Sequence, residues 1–181
     1  MKNVKRFQQK SSKGFTIIEV LIVLAIAGLI LAIVFLAVPA LQRGQRNNAR
    51  KQEASRVAAS IVDYGSNTGT AGAQAKTQAA CVSVITNTTN LAQYAFTSSS
   101  CQTEGTSLPT IDATSNGKVY VDNGGVGTAG TPAGATDKIM IIANDVQCSG
   151  TNAVTASSGK TALLYSLEAT SNAAWACLNV Q

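Results

Sequence analysis

From Val20 to Leu41 the chain carries 22 consecutive residues with no charged or polar side chain. A helix rising 1.5 Å per residue makes that run roughly 33 Å long, enough to cross a bilayer core of ~30 Å. Beyond it the apolar spacing changes. Ala54, Val57, Ala58, Ile61 and Val62 recur at three- and four-residue intervals, which is one face of a helix. Run and face together predict one long N-terminal helix over 15–64. Pro39 is its expected kink, Gly28 and Gly44 are weak points, and Tyr64-Gly65-Ser66-Asn67 supplies a glycine stop.

Past Gly65, Ser, Thr, Gly, Ala and Asn dominate. A short helix carrying Cys81 is expected over Gln74–Ile85, and a Ser/Thr-rich loop over 97–117. Strand-like runs follow at 118–122, 138–143, 161–167 and 174–180, separated by the turn signals Asn123-Gly124-Gly125, Thr131-Pro132-Ala133-Gly134 and Ser158-Gly159. The Thr/Gly/Ala tract at 124–136 reads as a surface loop. The predicted class is α+β: a long N-terminal hydrophobic helix packed on a small antiparallel β-sheet head. A freely soluble cytoplasmic enzyme and a disordered chain both conflict with this pattern.

Charge sharpens the division. The net charge is +5 over 181 residues, but Lys2, Lys5, Arg6, Lys10 and Lys13 lie in the first 14 residues, with no acid among them. Arg43, Arg46, Arg50, Lys51 and Arg56 stand against Glu53 just after the apolar run, the first four read as mostly lying off the apolar helix face. They suit the acidic heads of neighbouring copies, anionic headgroups, or simply solvent. From residue 57 onward acids outnumber bases, so the basic balance gives little support to nucleic-acid binding by the head.

The chain has no histidine, which removes the commonest general base and the commonest metal ligand. With no carboxylate cluster either, a membrane-anchored hydrolase is disfavoured; no cofactor and no metal site are expected. A membrane-tethered binding module is a further alternative. Four cysteines, Cys81, Cys101, Cys148 and Cys177, all follow the apolar run. That even count suits two disulfides on the oxidising side of a membrane, with three pairings open.

The apolar run is too long for a secretory signal core, and a plain single-pass anchor does not explain Glu19 at its mouth. Lys13-Gly14-Phe15-Thr16-Ile17-Ile18-Glu19, followed by a membrane-length apolar segment, resembles the prepilin signature of the type IV pilin superfamily. The resemblance covers residues 1 to about 64. It implies a leader over 1–14, a filament-core or transmembrane helix over 15–41 within the 15–64 helix, and a disulfide-stabilised pilin head over 65–181. It implies that a membrane peptidase cuts between Gly14 and Phe15 and methylates Phe15, so that Gly14 and Phe15 are the processing residues and Phe15 and Glu19 the assembly residues. The leader is longer than the shortest leaders of the family, and Pro39 lies about one turn later than the helix proline of many pilins.

The resemblance also implies a C-terminal disulfide-bounded loop, Cys148–Cys177, with Cys81–Cys101 expected in the preceding region. The implied function is a structural subunit of a type IV pilus, serving adhesion, motility or DNA uptake; the alternatives within the same machinery are a minor pilin or a type II secretion pseudopilin. The implied partners are copies of itself, the prepilin peptidase/methyltransferase, the assembly platform with its ATPase, and the membrane before assembly, with no small-molecule substrate. The expected location is the cytoplasmic membrane with the head outside, then the extracellular pilus. Gly28 and Ala32 form a small-xxx-small pair suited to close helix approach, or ordinary membrane-helix composition.

Three weaker signals have plainer readings. Ser158-Gly159-Lys160-Thr161 lacks the first P-loop glycine and reads as a turn into a strand. Asp122-Asn123-Gly124 lacks the spaced ligands of a calcium loop and reads as a hairpin turn. Asn87-Thr88-Thr89 fits a glycosylation acceptor, but such triplets are common. Trp175 and Tyr165 are expected in the core.

Overall fold

The computed structural model describes residues 14–69, 75–89, 91–104, 111–122, 138–157, 159–169 and 174–180. The chain divides into two compact units, Met1–Leu41 and Gln42–Gln181. The layout is α+β and pilin-like, with a long N-terminal apolar helix and a mixed sheet.

Helix α1 spans Ile17–Thr68, with Pro39 inside it. It outruns the expected end at Tyr64 by one turn. Gly65 follows Ile61 by four residues and is buried on the same face, so it serves close packing and does not end the helix. The left-handed position that stops a helix falls at Gly69, φ +68°. Helix α2 spans Gln78–Asn87. It starts later than expected because the hydroxyl of Thr77 caps it, accepting from the Ala80 N–H at 3.1 Å. Gln74, the expected start, lies outside the described residues.

Among the described residues seven strands follow: β1 Cys101–Glu104, β2 Val119–Asp122, β3 Met140–Asn144, β4 Val146–Ser149, β5 Asn152–Thr155, β6 Thr161–Leu167 and β7 Ala174–Asn179. The main sheet has the order β1-β2-β3-β6-β7, and β4-β5 forms a separate hairpin. The sheet is mixed where the sequence suggested antiparallel strands throughout. β3-β6-β7 are antiparallel, but β1 pairs with β2, and β2 with β3, in parallel. Parallel neighbours need crossovers of a dozen residues or more, and the connections over 105–118 and 123–139 are that long. β2 and β3 are therefore not joined as a hairpin, and Asn123 and Gly124 themselves lie outside the described residues. Three short strands had been missed: β1 inside the expected Ser/Thr-rich loop, and β4 and β5 between the expected runs. The turn at Gly150, φ +65°, joins Ser149 to its partner Asn152.

Alternate residues of the central strands feed two cores. Met140, Ile142, Leu163 and Tyr165 pack with Ala54, Val57 and Ile61 of α1 and Val84 and Ile85 of α2. Ile141, Ala143, Ala162 and Leu164 pack with Val146, Ala153 and Trp175. Cover on both faces explains why β3 and β6 read as nearly unbroken apolar runs. Disulfides tie α2 to β1 through Cys81–Cys101 and β4 to β7 through Cys148–Cys177. Their sequence separations of 20 and 29 residues correspond to about 3 kcal/mol of loop-closure stabilisation each.

Part of the basic stretch after the apolar run is engaged by the head itself, with Arg50 buried and Lys51 left exposed. Arg46 grips Glu168 with two hydrogen bonds, at 2.6 and 2.8 Å. Asn47 exchanges two more with the Glu168 backbone, donating to its carbonyl at 2.8 Å and accepting from its N–H at 2.7 Å. Arg50 is buried, with its guanidinium 5.7 Å from the centre of the Tyr94 ring. Glu53 is also buried, and accepts from the Gln93 and Tyr94 N–H groups at 2.8 and 3.2 Å. Arg50 and Glu53 thus stand on the core-facing side of α1, where sequence reasoning had put only apolar residues.

The weaker motifs resolve structurally. The Gly159 N–H donates to the Asp145 carboxylate at 2.9 Å. A P-loop would offer that group to phosphate; here Gly159 and Lys160 lead into β6, and Ser158 lies outside the described residues. Trp175 and Tyr165 are core residues.

Candidate functional site

Gly14, Phe15 and Thr16 precede the first helical residue, Ile17. Thr16 and Glu19 stand three apart and form a reciprocal cap. The Glu19 Oε2 atom accepts from the Thr16 N–H and from the Thr16 hydroxyl, both at 2.8 Å. The Thr16 hydroxyl oxygen accepts from the Glu19 N–H at 3.3 Å. This is a capping box, which satisfies N–H groups that a helix start otherwise leaves open. A carboxylate in the first turn also meets the positive end of the helix dipole. Glu19 Oε1 takes no hydrogen bond among the described residues. One carboxylate oxygen thus shapes the helix start, and the other remains an open acceptor.

Phe15, Glu19, Val20, Val23 and Leu24 line a cavity of about 270 Å³ along this first stretch. Every large apolar side chain from Phe15 to Leu41 is exposed, from 41% at Val38 to 88% at Phe15. Burying one such side chain contributes about 1.5–3 kcal/mol, so this surface strongly favours lipid or other apolar helices over water. By length and composition α1 is able to cross a membrane.

The structure brings Gly14, Phe15 and Glu19 together at one helix end. The four cysteines lie in the other unit, as two disulfides. Thr16 is the residue sequence reasoning missed. Its signal was legible as Thr16-Ile17-Ile18-Glu19, the S/T-x-x-E pattern before an apolar run.

Residues 9–35 match the prokaryotic N-terminal methylation motif. This is the type IV prepilin signature. Its match takes in the last part of the basic N-terminal stretch, the Gly14–Phe15 junction, the Thr16–Glu19 cap and the apolar run as far as Phe35. The prepilin signature marks precursors of type IV pilin-like proteins and pseudopilins, which are structural proteins handled by a prepilin peptidase. No curated protein and no solved structure gives a significant match to the chain.

Proposed function

We propose that this chain is a structural subunit of a type IV pilus. Residues 1–14 are its leader, 15–41 the membrane and filament-core segment, and the remainder the continuing helix and the disulfide-stabilised head. A membrane peptidase hydrolyses the Gly14–Phe15 peptide bond on the cytoplasmic side, leaving a carboxylate on Gly14 and an amine on Phe15, and the amine is then methylated. The mature subunit waits in the bilayer with its head outside. The assembly platform and its ATPase then transfer it into a fibre of identical copies related by a non-closing rotation.

The observation that carries this reading is the prepilin signature on a capped helix start with one open carboxylate oxygen. In an apolar bundle a lone carboxylate is costly, and a neighbour's Phe15 ammonium neutralises it at Glu19 Oε1. Cleavage is needed because it creates that cation at the right depth. The capping box makes the pair specific: it holds the Glu19 side chain against its own helix end, presenting Oε1 beside the apolar surface.

Immunogold electron microscopy with an antibody to the head tests the role. Label along the whole length of surface filaments fits a major pilus subunit serving adhesion, motility or DNA uptake. Label only at tips or beneath the envelope assigns a minor pilin or a secretion pseudopilin. Label spread over the membrane, with filaments intact after deletion of the chain, contradicts the filament reading.

A further inference from the structure

A polar cleft of about 350 Å³ opens on the head between the last turns of α1 and helix α2. The two helices share one apolar core below it, through Ile61 on α1 and Val84 on α2. Ser60, Asp63, Tyr64, Asn67 and Thr68 line it from α1, and Ser83 and Asn87 from α2. The spacing is deliberate in the geometric sense. Ser60, Asp63, Tyr64 and Asn67 recur at three- and four-residue intervals, and Ser83 and Asn87 stand four apart, so each helix turns one polar stripe to the cleft. The lining offers two carboxamides, one carboxylate, three aliphatic hydroxyls and a tyrosine that also packs on the core edge.

We infer that this cleft binds a saccharide. Carboxamides both donate and accept, the Asp63 carboxylate accepts two hydroxyl protons at once, and the serine hydroxyls do either. This is the complement of a vicinal diol or an acetamido sugar. Tyr64 adds an aromatic surface for the C–H face of a pyranose ring. Lysine, arginine and histidine are absent from the lining while one carboxylate is present, which disfavours phosphate, sulfate and acidic ligands. The volume suits one or two sugar rings and lies within the range of small-ligand sites. The inference does not depend on the filament reading, since the cleft lies wholly in the unit Gln42–Gln181.

The test uses the full chain in a detergent without a sugar headgroup. Saturation-transfer difference NMR is run with galactose, glucose, N-acetylglucosamine and chitobiose as probes, with methyl phosphate as the proton-bearing anionic control. Expected is transfer to at least one saccharide and none to methyl phosphate. Asp63→Ala should weaken binding about 10-fold or more, as loss of a charged hydrogen-bond acceptor does. Asn67→Ala should weaken it too, and both variants should keep the wild-type melting temperature because both residues are exposed. Absence of transfer to every saccharide, saccharide binding indifferent to both substitutions, or transfer to methyl phosphate alone would each overturn the assignment.

Discussion

Replacing Glu19 separates two jobs that one side chain performs. Its Oε2 atom takes both capping hydrogen bonds from Thr16, and its charge is what the proposed inter-subunit pair uses. In Glu19→Gln the amide oxygen still accepts from the Thr16 N–H, because capping boxes tolerate Gln. The helix start therefore stays intact while the negative charge is lost. A neighbour's Phe15 ammonium is then left unpaired in an apolar bundle, at a cost of about 3–5 kcal/mol. That equals roughly 10²- to 10³-fold or more in each subunit's association constant, repeated along the fibre. Glu19→Ala removes charge and cap together, adding about 1 kcal/mol for the cap.

The assay is filament yield by electron microscopy, beside an immunoblot for mature membrane-bound subunit. Both variants should lose filaments while processing, membrane insertion and head folding persist. Should Glu19→Gln assemble normally and Glu19→Ala fail, Glu19 acts as a helix cap and the charge-pair mechanism is refuted.

Three further outcomes concern the head. Replacing Cys148 and Cys177 together by Ser should lower head stability by about 3 kcal/mol, read from the denaturant midpoint; an unchanged midpoint would contradict a structural role for the bridge. The Arg46 guanidinium beside Glu168 holds its carboxyl below the usual carboxylate range, so the clasp stabilises above the unfolded carboxylate value and weakens as pH falls through the lowered one. Arg46→Ala should cost on the order of 1 kcal/mol at neutral pH and lose that effect in acid, and a pH-independent difference in melting temperature would count against the ion pair. Burial pushes the Tyr94 hydroxyl well above its ordinary value of 10.0, which stabilises the head below pH 10 and loses effect as pH rises through the raised value; Tyr165 is raised by burial as well, so spectrophotometric titration should show late-ionising tyrosines, one fewer of them in Tyr94→Phe.

The long helix was legible because the apolar run from Val20 to Leu41 and the spaced face from Ala54 to Ile61 are strong, continuous patterns. β2, β3, β6 and β7 were legible for a similar reason, being runs of Val, Ile, Leu and aromatic residues. β1 reads Cys-Gln-Thr-Glu and β5 Asn-Ala-Val-Thr, too short and polar to stand out from loop. Their place is decided by partners distant in sequence. Parallel pairing was hidden because Asn123-Gly124 carries a local hairpin signal, whereas long crossovers carry none. Arg50 and Glu53 escaped the rule that charges face water, since Tyr94 and the backbone at 93–94 supply partners that only the fold assembles. At the helix start, Gly14, Phe15 and Glu19 stood out by motif, while the tie between Thr16 and Glu19 needed geometry.

If the chain is cut at Gly14–Phe15 and built into filaments through the new terminus, intact-mass and N-terminal peptide mass spectrometry of sheared surface filaments should find a 167-residue subunit, residues 15–181 of the sequence, beginning at N-methylated Phe15 and carrying two disulfides. An intact Met1 terminus in purified filaments, or a first residue beyond Leu36, would contradict it.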